Sequence, residues 1–267
     1  MKRYFIKLSY DGAAYHGWQV QPGAVTVQQC VEEALGKVLR RPTPVVGAGR
    51  TDAGVNARVM VAHADMPEDI VEKDKARLLR SLNSLTARDI AFHDIVEVAP
   101  DAHARFDARR RTYRYFVHHG CDPFMRHYSL NIAPLDYTAM NEAAALLTEV
   151  DDFTSFAKLH ADTRTNICRV DSAVWVKASA QPAAAGMICG DGTMASGIGG
   201  QGCQYYFEIS ADRFLRNMVR AVVGTLVEVG RGKMTLRQFK EVIERRDRCE
   251  AGTSMPGNAL FLWNVEY

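Results

Sequence analysis

Arg50 and Asp52 stand two residues apart inside "VVGAGRTDAGVNAR", Val45 to Arg58, with Gly47, Gly49 and Gly54 around them. A carboxylate on a glycine-relaxed turn can approach a ligand closely and act on it as a nucleophile or an electrostatic stabiliser. Two phosphate-binding patterns fail here. G-x-G-x-x-G needs a glycine where Asp52 stands, and G-x-x-x-x-G-K-[ST] is broken by Val55 and Asn56. An acidic side chain would also repel a phosphate. Asp52 equally suits a turn or helix cap, a common use of aspartate among small residues. Taken alone, the stretch leaves both uses open.

Arginines and aromatics supply the other candidates. "RFDARRRTYR" holds Arg105, Arg109, Arg110, Arg111 and Arg114 against a single acid, Asp107. Arg213, Arg216 and Arg220 recur at spacings of three and four, while Asp65 to Asp74 is acidic. Net charge is only +2, so any polyanion must be met by one face; a solvated surface is the other use of such clusters. Tyr113 and Tyr115 alternate to one side of a strand, with Arg114 and Phe116 on the other. Aromatics beside arginines on a small sheet form an RNA platform, and strand aromatics also serve as core. Arg220 lies deep in an apolar run, where a guanidinium calls for a carboxylate partner.

Other chemistries are disfavoured. The six cysteines include no C-x-x-C, the eight histidines no H-E-x-x-H, and G-x-S-x-G is missing. No metal site is expected. No apolar run approaches the roughly 18 to 20 residues that span a bilayer. "MKRYFIKLSYDG" lacks a secretory apolar stretch, so a cytoplasmic location is expected.

The elements that must hold these residues are legible as patterns. "RYFIKLSY", "TPVVGAG", "ARVMVAHADM", "IAFHDIVEVA", "TYRYFVHH", "ICRVDSAVWVKA", "CQYYFEIS" and "ALFLWNV" read as strands. Helices are expected over "TVQQCVEEALGKVLRR" with Thr26 as N-cap, "KARLLRSLNSL", "YTAMNEAAALLTE", "FLRNMVRAVVGTLVEV" and "TLRQFKEVIERR". In the fourth helix Arg213, Arg216 and Arg220 would form one stripe opposite Val219, Val222, Val223 and Leu226. The order predicts an α+β protein of two similar halves, 1–105 with the Asp52 loop and 106–267. Residues 179–202, rich in Gly, Ala and Ser, read as a flexible insertion in the second half.

In sequence order, "YDGAAYHGWQVQ", "GRTDAGVNA", "ARFDA", "RTYRY", "DFTSF" and "FLRNMVRAVVGTLVEVG" resemble the tRNA pseudouridine synthase A family. The series covers nearly the whole chain. The resemblance implies two α+β halves whose antiparallel sheets join around a central basic cleft, the pseudouridine synthase fold, in a homodimer. It implies isomerisation of uridine to pseudouridine at positions 38, 39 and 40 in the anticodon arm of tRNA, without metal or cofactor.

Residue by residue, it makes Asp52 the catalytic nucleophile, Arg220 its partner and Tyr113 the tyrosine that packs on the target base. Arg50 matches an arginine of base flipping, and Arg58, Arg105, Arg111 and Arg216 join Tyr113 and Arg50 as expected substrate contacts. A carboxylate suits the task because it is anionic at neutral pH and needs no base to activate it. Two features depart from the family: Asn56 stands where histidine is usual, and the 179–202 insertion is long. They support an alternative, a tRNA-binding or tRNA-folding protein of the same fold with weak catalysis or shifted target uridines.

Overall fold

The computed structural model describes residues 1–158, 165–178 and 204–267, with backbone alone at 68–73. The expected insertion at 179–202 lies outside the described residues. Alternating burial begins at once in β1, Lys2–Tyr10, whose Tyr4, Ile6, Leu8 and Tyr10 point into the core. Helix α1, Val27–Leu39, follows with Thr26 as its N-cap, its hydroxyl accepting the Gln29 N–H at 3.4 Å. Val27, Val31, Ala34, Leu35 and Leu39 form its buried stripe. Short β2, Val46–Gly47, and long β3, Asn56–Met66, flank the Asp52 loop.

Helix α2, Glu68–Leu85, is longer than expected but breaks at Asp74, whose φ of −159° is not helical. The Asp74 carboxylate accepts the Arg77 N–H, restarting the helix close to the expected "KARLLRSLNSL". Next come β4, Ile90–Glu97, β5, Arg110–His118, β6, Leu130–Asn131, and helix α3, Tyr137–Ala145. Strands β7, Val170–Lys177, and β8, Gln204–Ala211, precede helices α4, Met218–Gly230, and α5, Leu236–Arg245. Strand β9, Leu260–Glu266, closes the chain. The two-residue β6 carries too little pattern to be seen in sequence.

All nine strands among the described residues belong to one sheet, ordered β4-β1-β3-β9-β5-β8-β7, with β2 added on β3 and β6 on β5. Two groups, antiparallel apart from the short parallel β5–β6 pair, are therefore fused into one sheet. The seam is a short parallel pairing of β3 with β9, Asn56 opposite Phe261 and Ala57 opposite Leu262. It pairs the start of β3 with β9 and so covers part of each strand's edge. The result is a mixed α+β fold, with five α-helices among the described residues.

Strand β5 sits mid-sheet and separates two environments. Tyr113, Tyr115 and Val117 are buried on one face. On the other, Arg114 pairs with Glu208 at 2.6 Å and lies over the rings of Trp263 and Tyr206 at 4.2 and 4.4 Å. The alternation expected for this strand is present.

The fourth helix differs from its sequence pattern. It begins at Met218, because Asn217 takes a left-handed conformation with φ 66° and stops helical hydrogen bonding there. Asn217 also donates from Nδ2 to Ser254 Oγ at 2.6 Å, which fixes the turn. Arg213 and Arg216 consequently lie on the connection before α4, and only Arg220 is on the helix. The three-arginine stripe does not form.

Candidate active site

Asp52 sits on the loop joining β2 to β3, and the N-terminal segment after β1 shapes that loop. Trp18 N–H donates to the Thr51 carbonyl at 3.1 Å, and Gly54 N–H to the Tyr15 carbonyl at 3.2 Å. The Tyr10 hydroxyl meets Thr51 Oγ1 at 2.8 Å in the core. Gly17 has φ +90°, and a Cβ there would stand 2.5 Å from the Thr51 carbonyl oxygen, so only glycine fits. A Cβ on Gly47 would meet the Trp18 ring at 2.6 Å. At Gly47 the missing side chain thus serves internal packing, not approach to a ligand.

Asn56 closes the loop's far end. It is 2% exposed; its Oδ1 accepts the Gly12 N–H at 2.8 Å and its Nδ2 donates to the Asn258 carbonyl at 2.7 Å. The residue standing in place of the family's usual histidine is therefore a buried clamp between three segments.

The Asp52 carboxylate faces two arginines from the other side. Arg220 Nη1 is 3.6 Å from one oxygen and Arg216 Nε 3.8 Å from the other. These are ion-pair separations beyond ordinary hydrogen-bond length, so the carboxylate is balanced in charge without being tied. Arg220 is braced by the segment before β9: its Nε donates to the Met255 carbonyl, and its own carbonyl accepts the Met255 N–H at 3.1 Å. Arg216 is largely exposed, whereas Arg220 is mostly covered.

Tyr113 is 7% exposed and packs edge-on against Phe214 at 4.9 Å. Burial raises its phenol well above the usual tyrosine range, the Asp52 carboxylate raises it further, and the Arg111 guanidinium partly offsets both. The phenol thus stays protonated at neutral pH.

The remaining expected contacts divide. Arg50 and Arg105 are exposed and line a pocket of about 80 Å³ with Trp18, Gln28 and Gly49. Burial, then repulsion from Arg50 and Arg213, holds Arg105 below the usual arginine range, so three guanidiniums share this neighbourhood. Arg58 lies elsewhere, over Trp263 at 4.6 Å on the sheet face that carries Arg114. The structure does not bring it to Asp52. Arg111, expected to contact substrate, is 9% exposed and directs its guanidinium to backbone carbonyls of the protein itself.

Sequence reasoning missed Arg213 as a neighbour of Arg50 and Arg105, and it missed the brace from Ser254 to Asn258. The signal for the brace is weak, since its partners are far off in sequence. Among the described residues no three His, Cys, Asp or Glu side chains are grouped to hold a metal ion, and no helix is long and apolar enough to cross a membrane.

A family model described as tRNA pseudouridine synthase matches residues 143–267, the stretch that carries Arg216 and Arg220. A tRNA pseudouridine synthase A of Bacteroides thetaiotaomicron is 52% identical over 268 residues, covering 100% of this chain and 91% of the relative. The chain belongs to the tRNA pseudouridine synthase A family. More distant members preserve the full-length match: a Porphyromonas gingivalis relative is 50% identical across 100% of this chain and 98% of its own, and an Exiguobacterium sibiricum relative 34% across 100% and 97%. Because these members span the whole chain, family membership extends over the Asp52 loop as well as the C-terminal stretch.

Proposed function

We propose that this protein isomerises uridine to pseudouridine at positions 38, 39 and 40 in the anticodon arm of tRNA, with Asp52 as nucleophile. The observation that carries the reading is the carboxylate of Asp52 set between Arg220 and Arg216 and beside the Tyr113 phenol, in a member of this family. A turn cap needs no such surroundings.

The reaction breaks the N1–C1′ bond, turns the uracil and joins C5 to C1′. The C5 proton leaves to solvent and N1 gains one, so no external reactant is required. A carboxylate can drive this by attack at C1′, by attack at C6, or by removing a sugar proton to give a glycal. Each route needs an anion held against the nucleoside, and Arg220 offsets the cost of burying one. The target base must leave its stack, at a cost of a few kcal/mol, and stacking on Tyr113 returns about 1 to 3 kcal/mol. Arg50, Arg105 and Arg216 meet the RNA backbone, while Arg58, on the other face, stays out of the cleft.

The same reading takes the halves 1–105 and 106–267 as the two walls of a basic cleft, in a cytoplasmic homodimer that binds the anticodon arm. The buried clamp made by Asn56 favours unshifted targets, because the residue supports the loop instead of facing RNA. Pseudouridine mapping in tRNA from cells lacking the gene tests the assignment. Positions 38, 39 and 40 are expected to revert to uridine; intact pseudouridine there would contradict the target assignment.

A further inference from the structure

Arg111 uses every N–H its guanidinium has. Nε and Nη2 both donate to the Ala48 carbonyl at 3.1 and 2.9 Å. Nη1 donates to the Ala108 carbonyl at 3.0 Å and the Asp212 carbonyl at 2.7 Å, and Nη2 also donates to the Arg105 carbonyl. A guanidinium carries five donors, and all five are accounted for within the protein.

The acceptors are what matter. Ala48 lies on the loop four residues before Asp52; Arg105 carries one of the pocket arginines; Asp212 precedes Arg213 and lies four residues before Arg216. Three segments with no contact in sequence thus present carbonyl oxygens to one buried cation. Converging carbonyl dipoles repel one another, and a planar cation between them turns that repulsion into attraction. Burial lowers the Arg111 pKa, yet an arginine stays charged at any physiological pH. Removing the cation leaves four carbonyls aimed at an empty centre, and the segments must separate or admit water.

We propose that Arg111 is a positioning residue: it sets the spacing between the Asp52 loop and the arginine-bearing segments at 105 and 212–216, and makes no contact with tRNA. The inference rests on the catalytic reading of Asp52 given above. Its consequence is kinetic. A shift of about 1 Å in the distance between reacting groups costs on the order of 100-fold in rate, whereas the exposed, flexible side chains of Arg50, Arg105 and Arg216 follow a backbone shift of that size and keep their phosphate contacts. Lysine is a poor substitute, because one ammonium has three donors and no planar fork.

The test compares wild type, Arg111→Lys and Arg111→Gly on an unmodified tRNA transcript, measuring single-turnover rate, Kd at several salt concentrations, and thermal unfolding. Both variants are expected to lose roughly 100-fold in rate with Kd and its salt slope unchanged. Methylguanidinium is expected to restore much of the lost rate to Arg111→Gly, where potassium chloride of equal ionic strength does not. A lysine variant with wild-type rate overturns the proposal, whether or not its melting temperature falls. A weakened Kd with a salt slope reduced by about one unit also overturns it, since that is the signature of a phosphate contact. An Arg111→Gly protein that folds yet gains nothing from methylguanidinium contradicts it too. If Arg111→Gly does not fold, Arg111→Lys decides. Wild type inactive on this tRNA would instead refute the catalytic reading itself, whatever the variants do.

Discussion

Tyr113 and Asn56 show how one side chain's surroundings decide its use. Burial and the Asp52 carboxylate both oppose a Tyr113 phenolate, so the hydroxyl acts as a neutral group. Tyr113→Phe is expected to keep most tRNA binding and slow the single-turnover rate, with the alkaline limb of the pH–rate profile unmoved below about pH 10. A loss of that limb in the variant would show a phenolate at work. At Asn56 the two hydrogen bonds are buried, and Asn56→Ala strands the Gly12 N–H and the Asn258 carbonyl. The expected destabilisation is about 1 to 3 kcal/mol by urea unfolding. No change in stability would remove the clamp. The roles of Asp52, Tyr113 and Arg220 could be carried over from motif resemblance because each lies inside a recognisable stretch. The Asn56 clamp could not, since its partner Asn258 lies 202 positions away.

Among the elements, β3 carries a pH dependence that follows from burial. His63 is 7% exposed on this strand, and its Nδ1 accepts the Ala104 N–H at 3.1 Å. Burial, then repulsion from His103, lowers its pKa below the usual histidine value. A histidine shifted down in the folded state contributes stability above the unfolded pKa of about 6.5 and loses it as pH falls through the folded value. Stability is therefore expected to drop as pH falls below about 6.5, and His63→Gln to flatten that drop in unfolding curves taken across the acid range. An unchanged slope would assign the acid sensitivity to other groups. Element types were largely legible, because alternation in β1 and β5 and helical spacing in α1 follow directly from burial on one face. The start of α4 was not, since the apolar run continues through Asn217 while the backbone turns at that residue. Its consequence is functional: Arg216 reaches Asp52 from a loop, not from a helix face.

Across the whole molecule, fusion into one sheet is what brings distant segments to Asp52. Two groups of antiparallel strands were visible in the order of elements, but the parallel seam between β3 and β9 joins residues about 200 positions apart and leaves no local pattern. That seam puts Phe261 and Leu262 beside the start of β3, and with them comes the segment that braces Arg220. The arginine clusters were visible as composition, yet their division was not. Arg50, Arg105 and Arg213 gather near the Asp52 loop, Arg111 is internal, and Arg58 and Arg114 lie on the opposite sheet face. Only a folded sheet separates such neighbours in sequence into different environments. The central claim remains that Asp52 does the chemistry, and release of tritium from a tRNA transcript carrying 5-tritiated uridine measures it most directly. Wild type is expected to release tritium and Asp52→Asn to release none while still binding the transcript; release by Asp52→Asn at the wild-type rate would contradict the account.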